Sequence, residues 1–247
     1  MDIDQLVGEA SSLIWHSGGM YYFAEESLAR AVELGITPSE FYFLGRGGAL
    51  GDVDAAVADS ALGYFAPTVV QRHWRAPVGR SPRDITLEYL ECCRSFGRHH
   101  LTGDWLPAFC TSASDVYTAA SAPALPLFAG FKSLPLPEDP AARAMQLVVG
   151  LREYRGGMHL LAVVASGLSP MVAHWLSTPW AWENFGYAKG DAPDVGDVDR
   201  ERLSAAVELT DRLVAPAFSV LDDNGARALL AGLNEMKSQL PTPEAPG

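Results

Sequence analysis

Apolar residues recur along most of the chain at the three- and four-residue spacing of a helix, and no segment alternates strictly as a half-buried strand would. The first stripe, Leu6, Ala10, Leu13 and Ile14, predicts a helix over residues 4–15. A second helix is predicted over 21–34, ending at Gly35, since glycine commonly follows a helix C-terminus. Ser39 is expected to cap a third segment running to about residue 44, and two short helices follow over 53–62 and 65–74. Ser81-Pro82-Arg83-Asp84 combines a capping hydroxyl, a first-turn proline and an acid near the positive helix end, which predicts a helix to about residue 96. Prolines punctuate 103–137, a stretch that reads as two short helical pieces and then an extended linker over 133–140. Helices are predicted over 140–155, 158–166, 170–176 and 179–187, an acidic turn over 191–198, and a long helix over 199–220. Asp222 or Asp223 caps the last helix, and the Pro-rich tail, 241–247, is expected to be disordered.

Self-comparison adds a second level of organisation. His16-Ser17-Gly18-Gly19-Met20-Tyr21 recurs 138 residues later as Tyr154-Arg155-Gly156-Gly157-Met158-His159. Leu34-Gly35-Ile36-Thr37-Pro38 is echoed by Ser166-Gly167-Leu168-Ser169-Pro170, with the spacing changed by six. The combination favours a duplication over chance. It predicts two similar halves that behave as a covalently linked dimer about a pseudo-twofold axis. Tyr21 and His159 are then equivalents that face a shared space from opposite halves.

Four segments resemble one family. LREYRGGMHLLA at 151–162 is similar to the LREHRGDGH segment of a large actinobacterial group of helix-turn-helix (SalK-like) proteins. FLGRGGALG at 43–51 resembles that group's F-x-GR-x-APLG segment, YFAP at 64–67 its NFAP segment, and TDRLVAP at 210–216 part of its C-terminal helix pair. The resemblance implies a mainly α fold of two degenerate MarR-like winged-helix halves in one chain. The corresponding domains are residues 1–132 and 141–240, joined by 133–140. It also implies a small aromatic or amphipathic ligand between dimerisation and reading regions. At 177–187 the chain departs from the family's recognition-type stretch. STPWAWENFGY offers four large aromatics and a carboxylate, with Asn184 as its one base-reading side chain.

Charge sharpens that departure. The 247 residues carry 30 acidic and 18 basic side chains, a formal net charge of −12. Nine basic and fifteen acidic residues lie on each side of Pro137, so each part carries −6. A non-specific nucleic-acid binder displaces counterions with clustered Lys and Arg, and anionic membranes attract the same clusters. Arg72, His73, Arg75, Arg80 and Arg83 form the only basic run, too short to offset −12. Nucleic acid and membrane partners are therefore disfavoured. An acidic N-terminus unlike a signal peptide, and three cysteines without metal spacing, point to a cytoplasmic protein with reduced thiols.

The candidate chemistry is acid–base. His159, Tyr21, Glu183 and His16 are the candidate proton-transfer residues, because an imidazole and a phenol can donate and accept, and a buried carboxyl titrates nearer neutrality. Three have a bland counterpart: His159 bonded to a backbone group between the halves, His16 as a helix-end cation, Glu183 simply exposed. Arg46 is a candidate for orienting an anionic ligand group or for bridging the halves. Tyr22, Trp180, Trp182, Tyr187 and His174 are candidate pocket lining, with ordinary core as the other reading for the aromatic cluster. His99 and His100 lack partners at metal spacing, so no metal is expected, and no cofactor motif occurs. The expectation is a small-molecule protein, monomeric or homodimeric, binding an apolar or aromatic metabolite and leaning to a cofactor-independent enzyme of specialised metabolism. Its rivals are a ligand-responsive transcription regulator and a non-catalytic sequestering or resistance protein.

Overall fold

The computed structural model describes residues 1–241, and the tail beyond, with the disorder expected of it, lies outside the described residues. Twelve α-helices form the described part, with no strand among those residues. They are α1 (Ile3–Gly18), α2 (Glu25–Glu33), α3 (Pro38–Gly47), α4 (Ala55–Leu62), α5 (Pro67–His73), α6 (Pro82–His100), α7 (Leu106–Ala119), α8 (Pro126–Lys132), α9 (Pro140–Ala165), α10 (Pro170–Ser177), α11 (Asp197–Phe218) and α12 (Asp223–Gln239). No wing of two strands accompanies either predicted half. Among the described residues no single helix is long and apolar enough to cross a membrane.

One local device starts four of these helices: a short polar side chain followed by proline. Thr37, Ser81, Asp139 and Ser169 each accept a hydrogen bond from the backbone N–H three residues on, and the next residue is Pro38, Pro82, Pro140 or Pro170. Glu40 and Asp84 complete capping boxes with Thr37 and Ser81. The cap of α3 is thus Thr37, two residues before the expected Ser39.

Helix α9 organises the molecule. Its buried residues run from Ala141 to Val163 and point to every side, the pattern of a helix surrounded by protein. Helices α1, α6, α7, α8 and α11 pack around it. One continuous core joins Leu6 and Ile14 of α1 to Met145 and Val149 of α9 and Leu229 and Leu233 of α12. The linker is tied down as well: Pro135 O accepts from Arg94 at 2.8 Å and from Gln146 at 3.1 Å.

The glycine pairs behave differently from expectation. Gly156 and Gly157 lie inside α9, which does not break near 155. Two interior glycines cost about 1 kcal/mol each relative to Ala, too little to interrupt a helix packed on so many sides. Gly157 lets Leu125 approach, since a Cβ there would lie 2.9 Å from its Cδ2. Gly18, at the end of α1, makes room for the Arg152 stem, 2.8 Å from where its Cβ would stand. Residues 19–24 then form turns before α2, so that helix starts at Glu25 and not near residue 21. Residues 179–187 form two 3-10 turns, Pro179–Ala181 and Glu183–Phe185, in place of a helix, because Gly186 turns left-handed at φ +87°.

The other echoed segment is matched in backbone detail. Gly35 and Gly167 have φ of +70° and +72°. Their N–H groups bond to the carbonyls of Val32 and Val164, and the next N–H groups, of Ile36 and Leu168, to those of Ala31 and Val163. Each of these left-handed turns leads into a capped Pro-initiated helix, α3 or α10. The spacing changes by six between the two echoes, and it is between them that the first copy leaves the helix, at residues 19–24, whereas α9 runs on uninterrupted.

Candidate functional site

A cavity of about 1470 Å³ opens between α1, α4, α9, α10 and the N-terminus of α8. Its lining is mainly apolar, and large apolar side chains that elsewhere would be buried stand open on it. Trp15 (55% exposed), Phe23 (55%) and Trp180 (78%) are the exposed Phe and Trp residues among the described residues, and all three line this cavity. Leu161 and Val164 of α9 add to the same surface. Exposed apolar surface gathered in one concavity marks a binding site more often than scattered apolar residues do.

The polar groups gather on α9 and the helix ends facing it. Arg46, near the end of α3, donates from Nε and Nη2 to the two Glu153 carboxylate oxygens at 2.9 and 3.0 Å, a bidentate pair with Glu153 4% exposed. Tyr22 OH donates to Glu153 Oε1 at 3.2 Å, and Arg46 also reaches the Tyr42 hydroxyl. Burial pushes the Glu153 carboxyl up, but the Arg46 charge and hydrogen bonds outweigh it and hold it below the ordinary carboxylate range. Arg152 Nη1 donates to Tyr22 OH at 2.8 Å, and its guanidinium lies 4.1 Å from the Trp15 ring centre. Arg155 pairs with Asp211 of α11 at 3.1 Å.

His159 lies one helical turn beyond Arg155 on the same face. Its Nδ1 is 2.9 Å from Thr210 Oγ1. Thr210 gives its single hydroxyl proton to the Ala206 carbonyl at 2.6 Å, so the imidazole must donate from Nδ1. That tautomer leaves Nε2 as an acceptor on a cavity-lining residue. Burial and the Arg155 charge pull the His159 pKa below its usual value, against Asp211, so the ring is neutral at pH 7. The Tyr64 ring stacks on it at 6.3 Å, with its hydroxyl buried and without a hydrogen-bond partner.

His159, Arg46, Tyr22, His174 and Trp180 all line the cavity. The other five candidates do not. Tyr21 is fully buried against Tyr22 and Tyr89, so it does not face His159 across a shared space. Glu183 is exposed and stands outside the lining, which removes the physical basis for its acid–base role. His16 is half-buried at the end of α1, outside the lining. Trp182 is buried, donates to Ala188 O at 2.8 Å and stacks on Tyr187 at 4.1 Å. Tyr187 donates to Tyr64 O at 3.1 Å. With Phe185 stacked on Phe65 at 4.2 Å, most of the aromatic segment 180–187 serves as a structural clasp. His174 belongs partly to that clasp, stacked on Phe185 at 3.9 Å with Nδ1 2.8 Å from Thr178 Oγ1.

A family model described as a helix-turn-helix family matches residues 9–207. The chain belongs to this family. No curated protein and no solved structure matches it. In this family member the matched region contains the polar groups that line the cavity except Asp211.

Reasoning from the sequence missed Arg152, Glu153, Tyr64 and Thr210. Arg152, Arg155 and His159 stand at positions i, i+3 and i+7 of one helix, and Glu153 is a carboxylate within an otherwise apolar buried run. Those two signals were available. The partners Tyr64 and Thr210 have no local signature.

Proposed function

We propose that this protein binds a small aromatic metabolite in the cavity between its helices and acts on it by proton transfer at His159. The observation that carries the reading is the concentration of Trp15, Phe23 and Trp180 around one concave, mainly apolar volume whose polar groups cluster at one end. His159 Nε2 supports the catalytic part: it is a neutral acceptor held in one orientation by Thr210.

The same reading takes the chain as two degenerate MarR-like halves about a pseudo-twofold axis, with a boundary near 133–140. Part of the packing supports it. Exchanging α1 with α9, α6 with α11 and α7 with α12 turns the contacts of α1 with α11 and α12 into those of α9 with α6 and α7. The α1–α9 and α7–α12 contacts map onto themselves. The paired turns at Gly35 and Gly167 agree.

A second reading, a ligand-responsive transcription regulator, is favoured by the helix-turn-helix family itself. It predicts salt-dependent binding to DNA from the neighbourhood of its own gene, and the −12 charge argues against it.

N-phenyl-1-naphthylamine, a neutral aromatic dye, tests the binding. It should brighten on the wild-type protein and much less on Gly156→Phe, which adds a ring at a cavity-lining position of α9 where a Cβ meets nothing within 4 Å, with circular dichroism checking that the variant is folded. Equal binding by both proteins would place the dye elsewhere and refute the site. For the chemistry, a small-molecule extract of the source cells is incubated with wild type and with His159→Ala. A mass that changes with wild type alone supports an enzyme. A retained but unchanged ligand identifies a sequestering protein.

A further inference from the structure

We infer that the cavity selects a flat aromatic ligand carrying one oxyanionic group, and that Arg152 is the residue that anchors this group. The inference rests on the cavity being the ligand site. Three guanidinium groups and two carboxylates face its polar end: Arg46, Arg152 and Arg155 against Glu153 and Asp211. Two of the three cations already have a carboxylate partner. Arg46 is committed to both oxygens of Glu153, and Arg155 to Asp211. Arg152 has no carboxylate at ion-pairing distance among the described residues.

What Arg152 does contact holds it in place without neutralising it. Its stem lies against Gly18, where any larger residue would displace it. Its guanidinium sits over the Trp15 ring at 4.1 Å and gives one hydrogen bond, to Tyr22 OH. A guanidinium has five N–H donors. Here one is used, and Nε is buried with no partner in the protein. An unpaired cation with spare donors in an apolar cavity favours an oxyanion, which takes a charge-assisted and often bidentate hydrogen bond from arginine. The excess of one positive charge at this end matches a monoanion.

The helix also sets the length of the ligand. Arg152 and His159 are seven residues apart on one face of α9, about 10 Å along its axis, roughly the length of two or three fused or linked aromatic rings. An oxyanion held at Arg152 therefore presents the far end of such a skeleton to His159 Nε2.

Two dyes with one ring system separate the anchor from the cavity. 1-Anilinonaphthalene-8-sulfonate carries an oxyanion, and N-phenyl-1-naphthylamine lacks it. Arg152→Met keeps an apolar stem of similar length over Trp15. It should weaken the sulfonate about tenfold or more and the neutral dye less than twofold. Arg152→Lys should recover part of the loss, and raising the salt should narrow the gap between wild type and Arg152→Met. An equal loss for both dyes would reduce Arg152 to packing, and an unchanged sulfonate affinity would also overturn the anchor. If the neutral dye fails to bind wild type, the cavity reading itself falls.

Discussion

Replacing Glu153 by Leu removes the carboxylate that neutralises Arg46, and the structure fixes how much that should cost. The pair is bidentate at 2.9 and 3.0 Å, with side-chain exposures of 12% for Arg46 and 4% for Glu153. At such burial water replaces the lost partner only in part. Breaking a buried pair from one side costs about 3–5 kcal/mol, since it strands the other charge. A domain of this size loses about 2–4 °C of melting temperature per kcal/mol, so Glu153→Leu should melt roughly 6–20 °C lower at pH 7. Adding Arg46→Met should recover most of the loss, because two apolar residues can fill the space of an ion pair at little net cost. Thermal unfolding followed by circular dichroism measures both. The pH dependence has a definite sign. The Glu153 carboxyl is held below its ordinary value in the folded state, so its contribution is present above about pH 4.5 and is lost as pH falls through the folded value. The gap between wild type and Glu153→Leu should therefore shrink in acid. A loss under about 1 kcal/mol at pH 7, or a double variant no more stable than Glu153→Leu, would refute the pair as a buried structural element.

Three further outcomes are expected. Gly156→Ala should raise stability by about 1 kcal/mol in a thermal melt, because a Cβ there meets nothing within 4 Å, whereas Gly157→Ala gains less or loses because it presses on Leu125. Tyr21→Phe should be neutral or stabilising by roughly 1 kcal/mol in chemical denaturation, since it removes a buried hydroxyl with no partner, and dye binding should not change. His159 has its pKa lowered by folding, so the unfolded chain binds the extra proton first and stability falls as pH drops below about 6.5. His159→Asn should make the melting temperature less sensitive to pH over that range.

Much of the fold was legible in the sequence because helix starts are local. The pair at 81–82 announces its helix by its own capping chemistry, and the same chemistry stands at 37–38, 139–140 and 169–170, although at the first of these Ser39 was expected as the cap. Glycine was less readable. The same Gly-Gly pair follows a helix end at Gly18 and lies within α9 at Gly156 and Gly157, because packing around α9 outweighs a propensity cost of about 1 kcal/mol per residue. At the site, Arg46 was identified by its glycine-rich surroundings, but its partner lies 107 residues away and is fixed only by the fold. The aromatic run 180–187 misled for the opposite reason. Its composition suits a pocket, yet Trp182, Phe185 and Tyr187 stack on neighbours and only Trp180 and Phe185 reach the cavity wall.

An experimental structure of the protein with bound 1-anilinonaphthalene-8-sulfonate is the most direct test. The dye should lie in the cavity lined by Trp15, Phe23 and Trp180, with its sulfonate at hydrogen-bonding distance from the Arg152 guanidinium and the Arg46–Glu153 pair unbroken. Dye bound on an outer face, with the cavity collapsed or filled by side chains, would contradict both the site and its anchor.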